Sequence, residues 1–317
     1  MATKKEKILI IKLGALGDFI QSLGLMAAIR KHHANAHITL LTTKPFESFA
    51  KDCGYLDEIW LDKKPKIFNF AAWLSLRKKF NSGDFKRVYD LQNNDRTGIY
   101  FKLFKTKPEW SGSAKGASHR NASAERSQGH AFDGHIQTLA IAGIQNIKPD
   151  PLEWMKADLN EFGLKEPFVI LVPGCAPDRP EKRWPPKYYA ALANKLNDAG
   201  YQPVIIGTEA EKDATHHIAQ NCTAALDLTG KTSLKHIATL ARESAGAIGN
   251  DTGPMHLIGS TGTPCLVLFS KHSSPLMHKP VGTAVSVLQE DNLDELTPET
   301  VYEAFAPKSK SIKTAKA

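Results

Sequence analysis

At 317 residues the chain is longer than one ordinary domain, and two domains of about 150 residues each are expected. Its 42% hydrophobic and 23% charged residues fit a soluble globular protein, and no run approaches the about 20 apolar residues of a membrane span. The net charge of +8 is concentrated: residues 62–120 hold fourteen Lys and Arg against five Asp and Glu, which suits nucleic acid, an anionic membrane surface or a phosphorylated substrate.

The first half alternates strand and helix signals. Lys7–Lys12 reads as a strand, and Lys12 ends its apolar run too early for a signal peptide. Cys53, Cys175, Cys222 and Cys265 are scattered, with no C-x-x-C pair, as reduced thiols of a cytosolic protein would be. A glycine-containing turn, Leu13–Gly17, leads to a helix expected to begin at Asp18. His37–Leu41, Glu58–Leu61 and Arg87–Leu91 read as later strands of a doubly wound parallel sheet. Ile67–Phe80 is an amphipathic helix with two readings: packing on the sheet, or lying in a membrane interface with its cations at headgroups. Lys107–Gln128 is small, polar and basic without period, and reads as a surface loop.

Pro149, Pro151, Gly163 and Pro167 mark an interdomain crossing, giving domains at 1–155 and 156–307 and a lysine-rich tail at 308–317. The alternation then restarts. Strands are expected at Phe168–Val172, Pro203–Gly207, Ala224–Leu228, Ala245–Gly249 and Cys265–Phe269, with a last helix starting at Thr297 and ending near Phe305. No repeat of solenoid period is present.

Four polar segments follow second-half strands, on the edge where doubly wound sheets bind ligands. They are Lys182-Arg183, Glu209/Glu211, Thr229–Ser233 and Asn250–Gly253. Cations and helix N–H groups suit phosphates, a carboxylate suits ribose hydroxyls, and a glycine-flanked loop can press on a base. Asn250-Asp251-Thr252-Gly253-Pro254 is the most pointed, a turn running into a helix N-terminus where free N–H groups favour an anion. The plainer reading is that Asp251 and Thr252 cap that helix. His256 lies one turn in, on the same side. The pattern G-x-x-x-x-G-K-[ST] is absent, and Leu13–Asp18 lacks G-x-G-x-x-G, which argues against a P-loop and a nicotinamide site.

Taken in order, Gly14-x-x-Gly17-Asp18, Pro173-Gly174 with Lys182–Pro185, Thr229–Leu234 and Gly249–His256 resemble the family 9 glycosyltransferases, the ADP-heptose lipopolysaccharide heptosyltransferases. The likeness covers residues 7–305. It implies a GT-B fold, two Rossmann-like domains facing a central cleft, and inverting transfer of a heptose from ADP-heptose to the lipopolysaccharide inner core. Neither metal nor other cofactor is implied. On this resemblance Asp18 is the general base, Lys182 with Arg183 the diphosphate cations, and Asp251, Thr252 and Gly253 the phosphate loop supported by His256. Glu211, or alternatively Asp213, faces the ribose, and Lys231, Thr232 and Ser233 line the base. A plain N-cap is the alternative for Asp18. Ser270–Pro275 stands where the family often has Gly-Pro-Thr, and Cys175–Glu181 departs from its hydroxyl-rich loop.

For the acceptor, the segment Asp90–Thr97 offers Arg96 as a phosphate ligand, with Lys115, His119 and Arg120 behind it. The expected partners are a nucleotide sugar, an anionic glycolipid and, peripherally, the inner face of the cytoplasmic membrane, with nucleic acid not among them. The alternatives are a transferase of another nucleotide sugar, an epimerase on the same fold, or a non-catalytic nucleotide-sugar binder.

Overall fold

The computed structural model describes residues 5–313, with side chains as far as Phe305. The chain divides between Asp150 and Pro151, a little before the expected boundary at 155/156. The first unit runs β1 (Lys7–Ile11), α1 (Leu16–His32), β2 (His37–Thr42), α2 (Glu47–Asp52), β3 (Glu58–Leu61), α3 (Phe70–Ser82), β4 (Arg87–Asp90), α4 (Asp95–Leu103), β5 (Glu109–Gly112), β6 (His119–Arg120), α5 (Glu125–Gln128) and α6 (Ala131–Ile141). The second runs β7 (Phe168–Val172), α7 (Pro186–Asp198), β8 (Gln202–Ile205), α8 (Lys212–Asn221), β9 (Leu226–Asp227), α9 (Leu234–Glu243), β10 (Gly246–Asn250), α10 (Gly253–Ser260), β11 (Cys265–Ser270), α11 (Pro275–His278), β12 (Val285–Glu290) and α12 (Pro298–Lys313).

Each unit is built on a parallel sheet of six strands among the described residues. Their orders are β3-β2-β1-β4-β5-β6 and β12-β11-β10-β7-β8-β9. Counted from its own first strand, each sheet has the same Rossmann order, 3-2-1-4-5-6. The α/β class and the pair of Rossmann-like doubly wound sheets expected of a GT-B enzyme are what the chain folds into. The central strands β1 and β7 are nearly unbroken apolar runs because helices cover both faces of the sheet. Each fully buried Ile, Leu or Val there contributes roughly 1.5–3 kcal/mol.

The structure corrects several expectations. Lys107–Gln128 is not a surface loop: it holds β5, β6 and α5, and Trp110 is fully buried in β5. Strands of four and two residues, Glu-Trp-Ser-Gly and His-Arg, carry no period to read. Helix α1 begins at Leu16, so Asp18 is inside its first turn and does not cap it. The last strand, β12, was not anticipated. Helix α12 reaches Lys313, so most of the expected tail 308–317 is helical, and 314–317 lie outside the described residues.

Candidate active site

In each sheet the strand order reverses at one place, between β1 and β4 in the first unit and between β7 and β10 in the second. The carboxyl ends of such strand pairs form the crevice where doubly wound sheets take ligands.

In the first unit β1 leads directly into Lys12, and β4 ends at Asp90. Lys12 is buried and donates from Nζ to the carbonyl of Leu91 at 3.1 Å, with Asp18 Oδ2 at 4.0 Å. Gly14 turns the chain at φ +122°, and a Cβ there would meet the ring of Phe46 at 2.8 Å, so only glycine fits. The turn brings Ala15 to the N-cap of α1, where no side chain accepts from the helix. Asp18 therefore projects from the first turn, its side chain 52% exposed, at the electropositive helix end and beside a buried cation. Burial lowers the Lys12 ammonium from its ordinary range, and the carboxylates of Asp18 and Asp90 oppose that shift. Burial also pushes Asp90 up to about 6, against the pull of the Asn93 and Gln92 amides, the Thr97 hydroxyl and Lys12. His135 is driven down to about 3 by burial and by the Lys12 and Arg126 charges.

The acceptor candidates are placed less uniformly. Arg96 turns back onto its own unit, donating to Pro65 O at 3.2 Å and lying over the Trp73 ring at 5.8 Å. Lys115 and Arg120 are exposed on and before the edge strand β6, Arg120 Nε donating to Ser113 O at 3.3 Å. His119 lies beside them, its Nδ1 3.1 Å from Ser118 Oγ.

In the second unit the four segments expected on one edge follow four adjacent strands, β9, β8, β7 and β10. Two of them close on each other. Lys182 Nζ donates to Asp251 Oδ2 at 2.7 Å, and Ser273 Oγ donates to the same oxygen at 2.6 Å. Asp251 is thus committed to Lys182 and Ser273, and Thr252, the N-cap of α10, makes no side-chain cap; the plain capping reading fails for both. The Thr252 side chain accepts nothing from the first turn of α10, whereas Asn94 and Ser233 cap α4 and α9. His256 is buried one turn into α10. Arg183 points its guanidinium at the carbonyls of Ala176 and Pro177, at 3.3 and 3.4 Å.

Glu211 spends Oε2 on its own turn, accepting from Thr208 N at 2.8 Å and Thr208 Oγ at 2.5 Å. It abuts Gly174, where a Cβ would meet Glu211 Cγ at 2.8 Å, so the loops after β7 and β8 touch. Lys231 Nζ donates to Asp227 O at 3.1 Å, Thr232 is half-buried and Ser233 caps α9.

Sequence reasoning missed the buried Lys12 and Asp90, with His135 near them, as a group behind Asp18. A lysine closing a wholly apolar strand was the available signal. The same reasoning named Asn250 only as part of the turn and not for its role: the residue is fully buried, and its Nδ2 donates to Pro173 O (2.7 Å) and Gly174 O (3.3 Å) while Oδ1 accepts from Trp184 N (3.1 Å). That amide pins the loop carrying Lys182 to the end of β10. Ser273 was seen only as part of a departure from the family pattern.

Known proteins share this fold. Residues 73–304 match the model of glycosyltransferase family 9 (heptosyltransferase). The lipopolysaccharide core heptosyltransferase OpsX of Haemophilus influenzae is 23% identical over 309 residues, covering 90% of this chain and 86% of that protein. The family 9 glycosyltransferase structure from Veillonella parvula superposes with TM-score 0.82 at 23% identity, covering 98% of this chain and 99% of that one. The E. coli heptosyltransferase WaaC, solved with ADP-2-deoxy-2-fluoro heptose, gives TM-score 0.73 at 16% identity, covering 95% and 99%.

Proposed function

The chain belongs to glycosyltransferase family 9, the heptosyltransferases, and from that premise we propose that it moves a heptose from ADP-heptose to the lipopolysaccharide inner core, with inversion and without a metal ion. The observation that carries the reading is a half-exposed carboxylate, Asp18, at one switch point, and a cation beside an uncapped helix terminus, Lys182 with α10, at the other. An acceptor hydroxyl needs a base and a departing diphosphate needs fixed positive potential.

In this reading Asp18 takes the proton of the acceptor hydroxyl as its oxygen bonds to the anomeric carbon. The bond from that carbon to the diphosphate oxygen breaks, and its electron pair leaves with ADP. Lys182 and the N–H groups of Thr252 and Gly253 receive the diphosphate charge, with Arg183 and His256 supporting that loop. Glu211 keeps one carboxylate oxygen outside its cap for the ribose, and Lys231, Thr232 and Ser233 lie along the same edge for the base. Arg96, Lys115 and Arg120 are assigned to the anionic glycolipid acceptor, Arg96 only if it leaves its Pro65 contact. The names of OpsX and of the WaaC complex support a lipopolysaccharide acceptor and an ADP-heptose donor. Such an acceptor places the enzyme at the cytoplasmic face of the inner membrane; no helix among the described residues is long and apolar enough to cross one.

The test is transfer from a panel of ADP-, GDP-, UDP- and dTDP-sugars to a core-truncated lipopolysaccharide, with the product anomer read by NMR. ADP-heptose alone should give product, of inverted configuration. Turnover with a different nucleotide sugar, or epimerisation without an acceptor, would replace this reading.

A further inference from the structure

The amphipathic segment Ile67–Phe80 divides between its two expected roles. Leu76 and Phe80 are buried in the core of the first unit, with Trp73 packed against it. Ile67, Phe68, Phe70 and Leu74 are instead 75, 86, 73 and 63% exposed. Phe70 and Leu74 are four residues apart on α3 and share a face, which continues into Arg77 and Lys78. Ile67 and Phe68 occupy the turn immediately before the helix.

This apolar tip is held in place. Asn69 caps α3 by accepting from Ala72 N at 3.1 Å, and Trp73 Nε1 donates to Lys66 O at 3.1 Å. Arg96 donates to Pro65 O, and Asp62 accepts from Lys64 N at 2.7 Å and from the Tyr100 hydroxyl. Arg96 and Asp62 thus buttress this surface. The charge around the tip has one sign. Lys63, Lys64, Lys66, Arg77 and Lys78 are exposed, Lys79 lies over the Trp60 ring, and no Asp or Glu occurs from Lys63 to Gly83. A soluble protein partner fitted to a purely cationic rim would have to be acidic throughout; a bilayer rich in anionic lipid offers both the apolar layer and the charge at the right depth.

We infer that this tip is a membrane anchor: Ile67, Phe68, Phe70 and Leu74 enter the interfacial layer of an anionic bilayer while the five exposed cations meet its headgroups. It rests on the reading above for the presence of a membrane-borne acceptor, and names the element that meets the membrane.

The test is co-sedimentation of the full chain with vesicles of phosphatidylethanolamine and phosphatidylglycerol, and of phosphatidylcholine alone, with neither donor nor acceptor present. The wild type should bind the anionic vesicles only, less as salt rises past physiological strength, where the Debye length is about 8 Å. Phe68→Ser with Phe70→Ser should lower partitioning about tenfold or more at unchanged melting temperature, since both rings are exposed. A Lys63→Glu, Lys64→Glu, Lys66→Glu variant should abolish the preference for anionic lipid. Wild-type binding by either variant overturns the anchor. So does a wild type that ignores vesicles but dimerises through this face, the double serine variant being monomeric. Because no sugar is transferred, failure here leaves the heptosyl reading standing, and failure of transfer leaves the anchor standing.

Discussion

The two switch points carry the same pair of groups, a lysine and an aspartate, in opposite states. In the first unit the cation is buried and the carboxylate half-exposed, 4.0 Å apart. In the second both are nearly out of water and in contact at 2.7 Å, with Ser273 closing the pair. An open carboxylate with a cation behind it can accept a proton from an incoming group. A closed pair cannot, and its value is to fix an ammonium where an anion will arrive. On the proposed reading, the same sheet topology, used twice, would support a base in one unit and a charge clamp in the other.

The comparison breaks most sharply at Asp18. Asp18→Asn should reduce turnover by roughly 10²–10⁴, with melting temperature and donor affinity almost unchanged because Asp18 caps nothing. Wild-type rates in steady-state transfer assays would reduce the first switch point to an ion pair. Lys182→Ala should act differently, on binding and on stability together. Loss of a charge-assisted contact worth about 1.5–3 kcal/mol should weaken the donor about tenfold or more in calorimetry. Stranding Asp251 should cost stability, by about 3–5 kcal/mol if the pair behaves as fully buried. Adding Asp251→Asn should restore the melting temperature and leave donor binding weak; recovery of both would mean that Lys182 serves the fold alone.

Smaller effects sharpen the picture. Asp90 has a folded pKa raised to about 6 from an ordinary carboxylate value. A raised pKa means protonation favours the fold, so its contribution is fully present below about pH 4 and lost as pH rises through about 6. Asp90→Asn should flatten that part of a melting-temperature profile; an unchanged profile would assign the slope to other groups. The smallest expected effect is none at all. Turnover should survive EDTA, since Lys182 and the α10 terminus can take the leaving charge. Loss of activity restored by magnesium would show that the second clamp is incomplete without a cation.

Much of this was legible because it is local. Continuous apolar runs named the central strands, and the turn Asn250–Pro254 named a helix terminus. The strands β5, β6 and β12 were illegible because a four-residue Glu-Trp-Ser-Gly, a two-residue His-Arg and a half-exposed outer strand carry no strong period. The group behind Asp18 was hidden for another reason. Lys12, Asp90 and His135 come together only through strand order and helix packing, and spacing along the chain says nothing of that. Arg96 shows the converse: a cation well placed in sequence can be drawn away by a carbonyl and a ring from elsewhere.

The Asn250 amide has a consequence for the chemical ageing of the protein. Hydrolysis of that one side chain to a carboxylate would exchange a nitrogen for an oxygen. Two hydrogen bonds, to Pro173 O and Gly174 O, would become contacts between acceptors at a fully buried position. One nitrogen atom thus makes two of the bonds that hold the loop carrying Lys182, and its loss would slacken that loop after β7 without altering Lys182 itself.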